Sequence, residues 1–135
     1  MSDVIAPLLP LARRCVLAGA LLMLLGVLLG AFGAHGLQGH LSARQLASYQ
    51  TGVHYQLLHG LGLLLLGVLV QLAGERPRLR WAARLMLAGV VLFSGSIYLM
   101  TAGLPRALGM VTPLGGVSLV VAWALLAWDC RAARR

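Results

Sequence analysis

Acidic side chains are nearly missing from this sequence: Asp3, Glu75 and Asp129 are the whole complement. Charged residues of both signs make up only 10% of the chain, against 60% hydrophobic residues. A surface of that composition would aggregate in water, which excludes a soluble globular domain and makes lipid the solvent for most of the chain. None of the three acids falls within an apolar run, so proton- or sodium-coupled transport, which generally uses buried carboxylates, finds no residues suited to it. Aromatic residues are few, at 6%, and do not interleave with the basic ones. A net charge of +8 and a pI of 11.4 therefore do not describe a nucleic-acid groove.

What the sequence does contain is long apolar runs. A bilayer-spanning helix needs about 20 mostly apolar residues. Four stretches supply roughly that length, at residues 15–34, 53–73, 82–102 and 112–128. The expected fold is an all-α membrane protein, a bundle of four transmembrane helices in a single domain over residues 1–135. The first run exceeds the roughly 7–15 residue core of a cleaved signal peptide, so it is read as a retained span.

Arginines set the orientation. Arg13, Arg14, Arg76, Arg78, Arg80, Arg84, Arg131, Arg134 and Arg135 border one side, and only Arg44 and Arg106 the other. Basic residues are retained in the cytoplasm beside short loops, which puts both termini there. Trp81 and Trp128 fall at the inner boundary, where amphipathic rings are favoured. The same arginines attract anionic headgroups. Cys15 and Cys130 both fall at inner helix ends, in a reducing compartment, without a histidine or second cysteine at ligand spacing.

Local signals place the turns. Ser42 with Gln45 forms a capping box and Leu41 with Leu46 a hydrophobic staple, so a short amphipathic helix is expected in the first outer loop, from Ser42 toward Gly52. Gly74 with Pro77 and Gly103 with Pro105 close the second and third spans. Thr112 followed by Pro113 reads as an N-cap with proline at the first helical position, making the last span about 17 residues long. Gly19, Gly26, Gly30 and Gly33 lie within about 60° on a helical wheel and mark a face for close helix approach, within this chain rather than with a second copy. An R-x-x-L-A-G string occurs at residues 14–19 and again at 84–89, for which chance is the simpler account.

Polar residues inside the runs converge on the outer half. On the second helix Tyr55, Gln56 and His59 share a face, and His54 points elsewhere. Ser94, Tyr98 and Thr101 align on the third helix with Ser96 opposite, and Thr112 opens the fourth. With His35 at the end of the first, these groups must pair with one another or line an outward-opening cavity. Two imidazoles could in principle ligate haem, but His35 and His59 differ in depth, and no Asp, Glu or Cys completes a zinc site. No cofactor or metal is expected.

Four ordered motifs carry a resemblance: G-A-F-G-A-H-G at 30–36, T-G-V-H-Y-Q-L-L-H at 51–59, L-F-S-G-S-I-Y at 92–98 and V-T-P-L-G-G-V at 111–117. Together they resemble the domain of unknown function 423 family of small bacterial inner-membrane proteins, related to the transmembrane protein 256 family. The resemblance implies four helices in a bacterial inner membrane and no particular chemistry. Its motif positions correspond to Gly33, His35, Tyr55, Gln56, His59, Ser94, Gly95, Ser96, Tyr98, Thr112, Pro113, Gly115 and Gly116, with Gly95, Gly115 and Gly116 expected to pack helices.

Three functions remain open on the sequence. The first is a non-enzymatic bundle that binds a lipid, a quinone-like molecule or a partner protein through the polar cluster of His35, Tyr55, Gln56, His59, Ser94, Ser96, Tyr98 and Thr112. The second is a small transporter or channel, assembled as a homo-oligomer. The third, an enzyme resting on His35 or His59, lacks an orienting carboxylate. Membrane lipids are the expected partners, with a homo-oligomer or a larger membrane complex open and nucleic acid excluded.

Overall fold

A computed structural model describes residues 7–132, and helices account for nearly all of them. Helix α1 runs Pro10–His35, α2 Ala43–Ala73, α3 Pro77–Thr101 and α4 Val111–Ala132, with a 3₁₀ segment Arg106–Met110 leading into α4. All four are long and apolar enough to cross a membrane. Prolines open α1 and α3, where the missing N–H would have been unpaired in any case. Gly74 and Gly103 adopt positive φ (84° and 97°) just past α2 and α3, a conformation that L side chains rarely adopt.

The capping box at Ser42 is present: the Gln45 N–H donates to Ser42 Oγ, and the Ser42 N–H to Gln45 Oε1. The helix it starts does not end near Gly52, however, and so is no separate interfacial element. It forms the first turns of α2, whose 31 residues extend about 46 Å at roughly 1.5 Å per residue. The reason is packing. Tyr49 is buried over Gly33 of α1, and its hydroxyl donates to the Leu29 carbonyl at 2.7 Å. Gly52 brings the backbone within van der Waals reach of Ile97 and Tyr98.

A second difference concerns Thr112, which does not cap α4. The 3₁₀ segment runs directly into the helix from Val111, and Pro113 fits in the first turn, where no N–H is required. The Thr112 hydroxyl is thereby freed for a contact with α3.

Glycines govern the two hairpins. At the α1–α2 crossing a Cβ on Gly19 would lie 2.7 Å from the Gly60 carbonyl oxygen, and at the α3–α4 crossing one on Gly115 would lie 2.9 Å from that of Gly89. The two R-x-x-L-A-G strings thus end on glycines used in the same way, Gly19 and Gly89. Gly26 and Gly33 receive Leu57 and Tyr49, so the α1 stripe packs within the chain. Gly95 is different: nothing approaches the place of its Cβ within 4 Å, and Gly116 has only the loose neighbour Phe93, so neither is a tight packing position.

The helices form a staggered row and not a closed square. Each touches the next in sequence, α1 barely meets α3, and the α1 and α4 backbones do not meet. Helices α2 and α3 hold the core of Leu63, Leu66, Val70, Leu79, Met86 and Val90. This stagger opens two grooves. One lies between α1 and α3 with Leu63 of α2 behind it, and the other between α2 and α4 with Phe93 of α3 behind it.

Candidate functional site

Most polar side chains within the spans are consumed by one another or by backbone. Gln56 is buried where α1, α2 and α3 meet; its amide donates to the Leu22 carbonyl at 2.9 Å and its oxygen accepts from the Tyr98 hydroxyl at 2.8 Å. Ser94 donates to the Gly52 carbonyl at 2.7 Å. Ser96 donates to Phe93 O, which leaves the Thr112 hydroxyl as donor in the 2.6 Å contact between them. Thr101 and Ser118 donate to the carbonyls of Ile97 and Leu85.

Two cluster members are placed otherwise than the sequence suggested. His35 is exposed at the end of α1, has no hydrogen bond among the described residues, and takes no part in the network. The shared face of Tyr55, Gln56 and His59 is divided: Gln56 turns toward α1, and the other two toward α4. His54 is exposed at the rim of the α2–α4 groove.

That groove is the candidate site. It encloses about 610 Å³, lined on α2 by Tyr55, Leu58 and His59, on α3 by Phe93, and on α4 by Gly116, Val117, Leu119, Val120 and Trp123. Its rings form a continuous series. Tyr55 stacks on Phe93 with centroids 4.3 Å apart and on His59 at 5.7 Å, and His59 meets Trp123 at 6.0 Å. His59 is 4% exposed, and its Nδ1 lies 2.8 Å from the Tyr55 carbonyl oxygen. A carbonyl only accepts, so in the neutral ring Nδ1 carries the proton and Nε2 is an acceptor. Neither Nε2 nor the Tyr55 hydroxyl has a partner among the described residues.

These motifs can now be set beside known proteins. The family described as "Protein of unknown function (DUF423)" matches residues 29–116, the stretch that holds the Gln56–Tyr98 pair and all the α2 and α3 residues of the groove. The chain belongs to the DUF423 family. Among its relatives, a UPF0382 membrane protein of Staphylococcus haemolyticus is 41% identical over 112 residues, covering 82% of this chain and 89% of its own length. The UPF0382 membrane protein YwdK of Bacillus subtilis is 41% identical over 111 residues, 82% of this chain and 90% of its own. No solved structure matches the chain. The chain is an integral, multi-pass membrane protein similar to these bacterial ones.

The opposite end of the molecule is rich in charge, and sequence reasoning gave its acids no role. Glu75 caps α1 from the α2–α3 turn: its Oε1 accepts the Leu11 N–H at 2.8 Å, and Oε2 accepts from Arg80 at 3.1 Å. The Leu11 N–H, with Arg80 and Arg14 adding to it, holds this carboxyl below the usual range against the opposing effect of partial burial. Gln71 accepts the Leu9 N–H in the same way. Asp129 is 2% exposed and pairs with Arg76 at 2.8 Å. This is a charge pair without hydrogen-bond alignment, since Arg76 Nε and Asp129 Oδ2 find no hydrogen-bond partner among the described residues. No three metal-ligating side chains come together among the described residues.

Proposed function

We propose that this protein is a non-enzymatic receptor within a bacterial inner membrane, both termini cytoplasmic, that holds a ring-bearing, membrane-soluble molecule of the quinol type in the α2–α4 groove. The observation that carries the reading is His59. It is a buried imidazole whose Nδ1 is fixed by a backbone carbonyl and whose Nε2 is left to accept, in a wall of aromatic rings open toward lipid. One hydroxyl of such a ring would donate to Nε2, and the hydroxyl across the ring would pair with that of Tyr55. Phe93 and Trp123 supply faces for offset stacking. The groove's walls carry no cation for a phosphate headgroup, which favours an uncharged ring.

Catalysis finds little support here, because Glu75 and Asp129 stand at the far end and His59 is oriented by a carbonyl. A transporter, the sequence's alternative, would need a polar route past Leu63, Leu66, Met86 and Val90, which fill the core.

The test is quenching of tryptophan fluorescence by a short-tailed ubiquinol analogue, kept reduced under argon, in lipid nanodiscs. Saturable quenching is expected, lost with Trp123→Phe and weakened at least tenfold in affinity by His59→Ala. Tyr55→Phe, which keeps the ring, should weaken it severalfold. Quenching that rises linearly with analogue, or that both His59→Ala and Tyr55→Phe leave unchanged, sinks the reading.

A further inference from the structure

The α1–α3 groove has a different chemistry from its counterpart and lies at the arginine-rich end. It encloses about 370 Å³. Arg14 of α1 and Arg80 and Arg84 of α3 line it, with Glu75 as the single acid, and Ala18, Leu63 and Leu87 continue it as an apolar floor. Three guanidiniums therefore meet one carboxylate, and that carboxylate is already occupied on both oxygens by Leu11 and Arg80. Arg84 lies over the Trp81 ring at 5.3 Å, which steadies its planar fork at the mouth. Arg14 is exposed beside it, with no anionic partner of its own among the described residues.

We infer that this groove is a binding site for an anionic phospholipid, the phosphate held by Arg14 and Arg84 and the glycerol and acyl chain laid along the apolar floor. Guanidiniums match phosphate oxygens bidentately, and basic recesses between membrane helices at this depth suit acidic headgroups. The floor identifies a lipid and not a free anion, since a free phosphate gains nothing from Ala18, Leu63 and Leu87. The site is independent of the quinol reading: it shares no residue with the α2–α4 groove.

The experiment is native mass spectrometry of the purified protein in detergent, titrated separately with phosphatidylglycerol and phosphatidylcholine of the same acyl composition. One phosphatidylglycerol should be retained at least tenfold more strongly than phosphatidylcholine, and the preference should fall as salt is raised. Arg14→Gln with Arg84→Gln should abolish the preference. Arg13→Gln with Arg131→Gln removes the same charge from the same end, outside the groove, and should leave the preference intact. Millimolar inorganic phosphate should fail to displace the lipid. Equal retention of the two lipids, equal loss in both double variants, or displacement by phosphate would each overturn the assignment. Helical circular dichroism of the variants confirms that they are folded.

Discussion

The two grooves are made in the same way and finished differently. Each lies between helices two apart in sequence, with the intervening helix as its back wall, because the four helices stagger and do not close into a square. One is walled by Tyr55, His59, Phe93 and Trp123, the other by Arg14, Arg80, Arg84 and Glu75. Glycine contacts at the crossings, Gly19 with Gly60 and Gly89 with Gly115, set the backbone frame. The side chains that face outward from that frame decide what each recess accepts. A shared architecture here therefore says little about shared chemistry.

The strongest way to separate the grooves is at Gly115. A Cβ there runs into the backbone of Phe93, which cannot swing aside as a side chain tip could. Gly115→Val should cost about 3 kcal/mol in reversible unfolding in detergent and abolish ubiquinol-analogue quenching, while the folded fraction keeps its phosphatidylglycerol. Gly95→Ala, placed where nothing is near, should change stability by no more than about 0.5 kcal/mol. If the two substitutions cost the same, glycine packing is not what frames the aromatic groove.

Next in size is the ion pair at the arginine-rich end, and its two halves should not be equivalent. Arg76→Gln strands Asp129, which is 2% exposed, and should cost about 2–3 kcal/mol. Asp129→Asn leaves an arginine that is 30% exposed and can rehydrate, and should cost about 1 kcal/mol. The reverse order, read from unfolding midpoints, would mean that Asp129 is wetter than its burial implies.

Smaller again is the pair that stands behind the aromatic groove without lining it. Tyr98→Phe leaves the Gln56 oxygen without its donor and should cost about 1 kcal/mol, near the upper range for hydrogen bonds between membrane helices. Ligand quenching should not change. His35→Ala, outside the network, should alter neither.

The smallest effect belongs to Glu75 and falls on the basic groove alone. Its carboxyl is held below the usual range in the folded chain, so its contribution is complete above the ordinary glutamate value and fades as pH falls from there through the folded value. Hydrogen exchange at the Leu11 amide should accelerate relative to the α1 interior across that acidic window. Glu75→Gln should flatten the dependence.

Much of the frame was legible because lipid imposes simple rules. Apolar length gave the four spans, and Ser42, Gly74, Pro77 and Gly103 marked their ends. What could not be read was anything set by which neighbour a helix face meets. Gln56 and His59 lie about 60° apart on a wheel, close enough to count as one face, yet α1 takes the first and α4 approaches the second. The extension of α2 to Ala43 depended on Tyr49 finding the bare surface of Gly33. Asp129, read only as an acid outside the apolar runs, is buried because the turn after α2 brings Arg76 against it.

The length of α2 has a mechanical consequence. At about 46 Å it exceeds the roughly 30 Å hydrocarbon layer by several turns. The charges of Arg76, Glu75 and Arg80 moor one end of it at a fixed depth, because moving them inward would dehydrate ions. The other end carries Arg44 at its tip, and below it the neutral Gln45, Ser48 and Thr51 tolerate either headgroups or water. A modest change in bilayer thickness would thus be taken up first at the Ser42 end, by wetting or covering the neutral residues below Arg44.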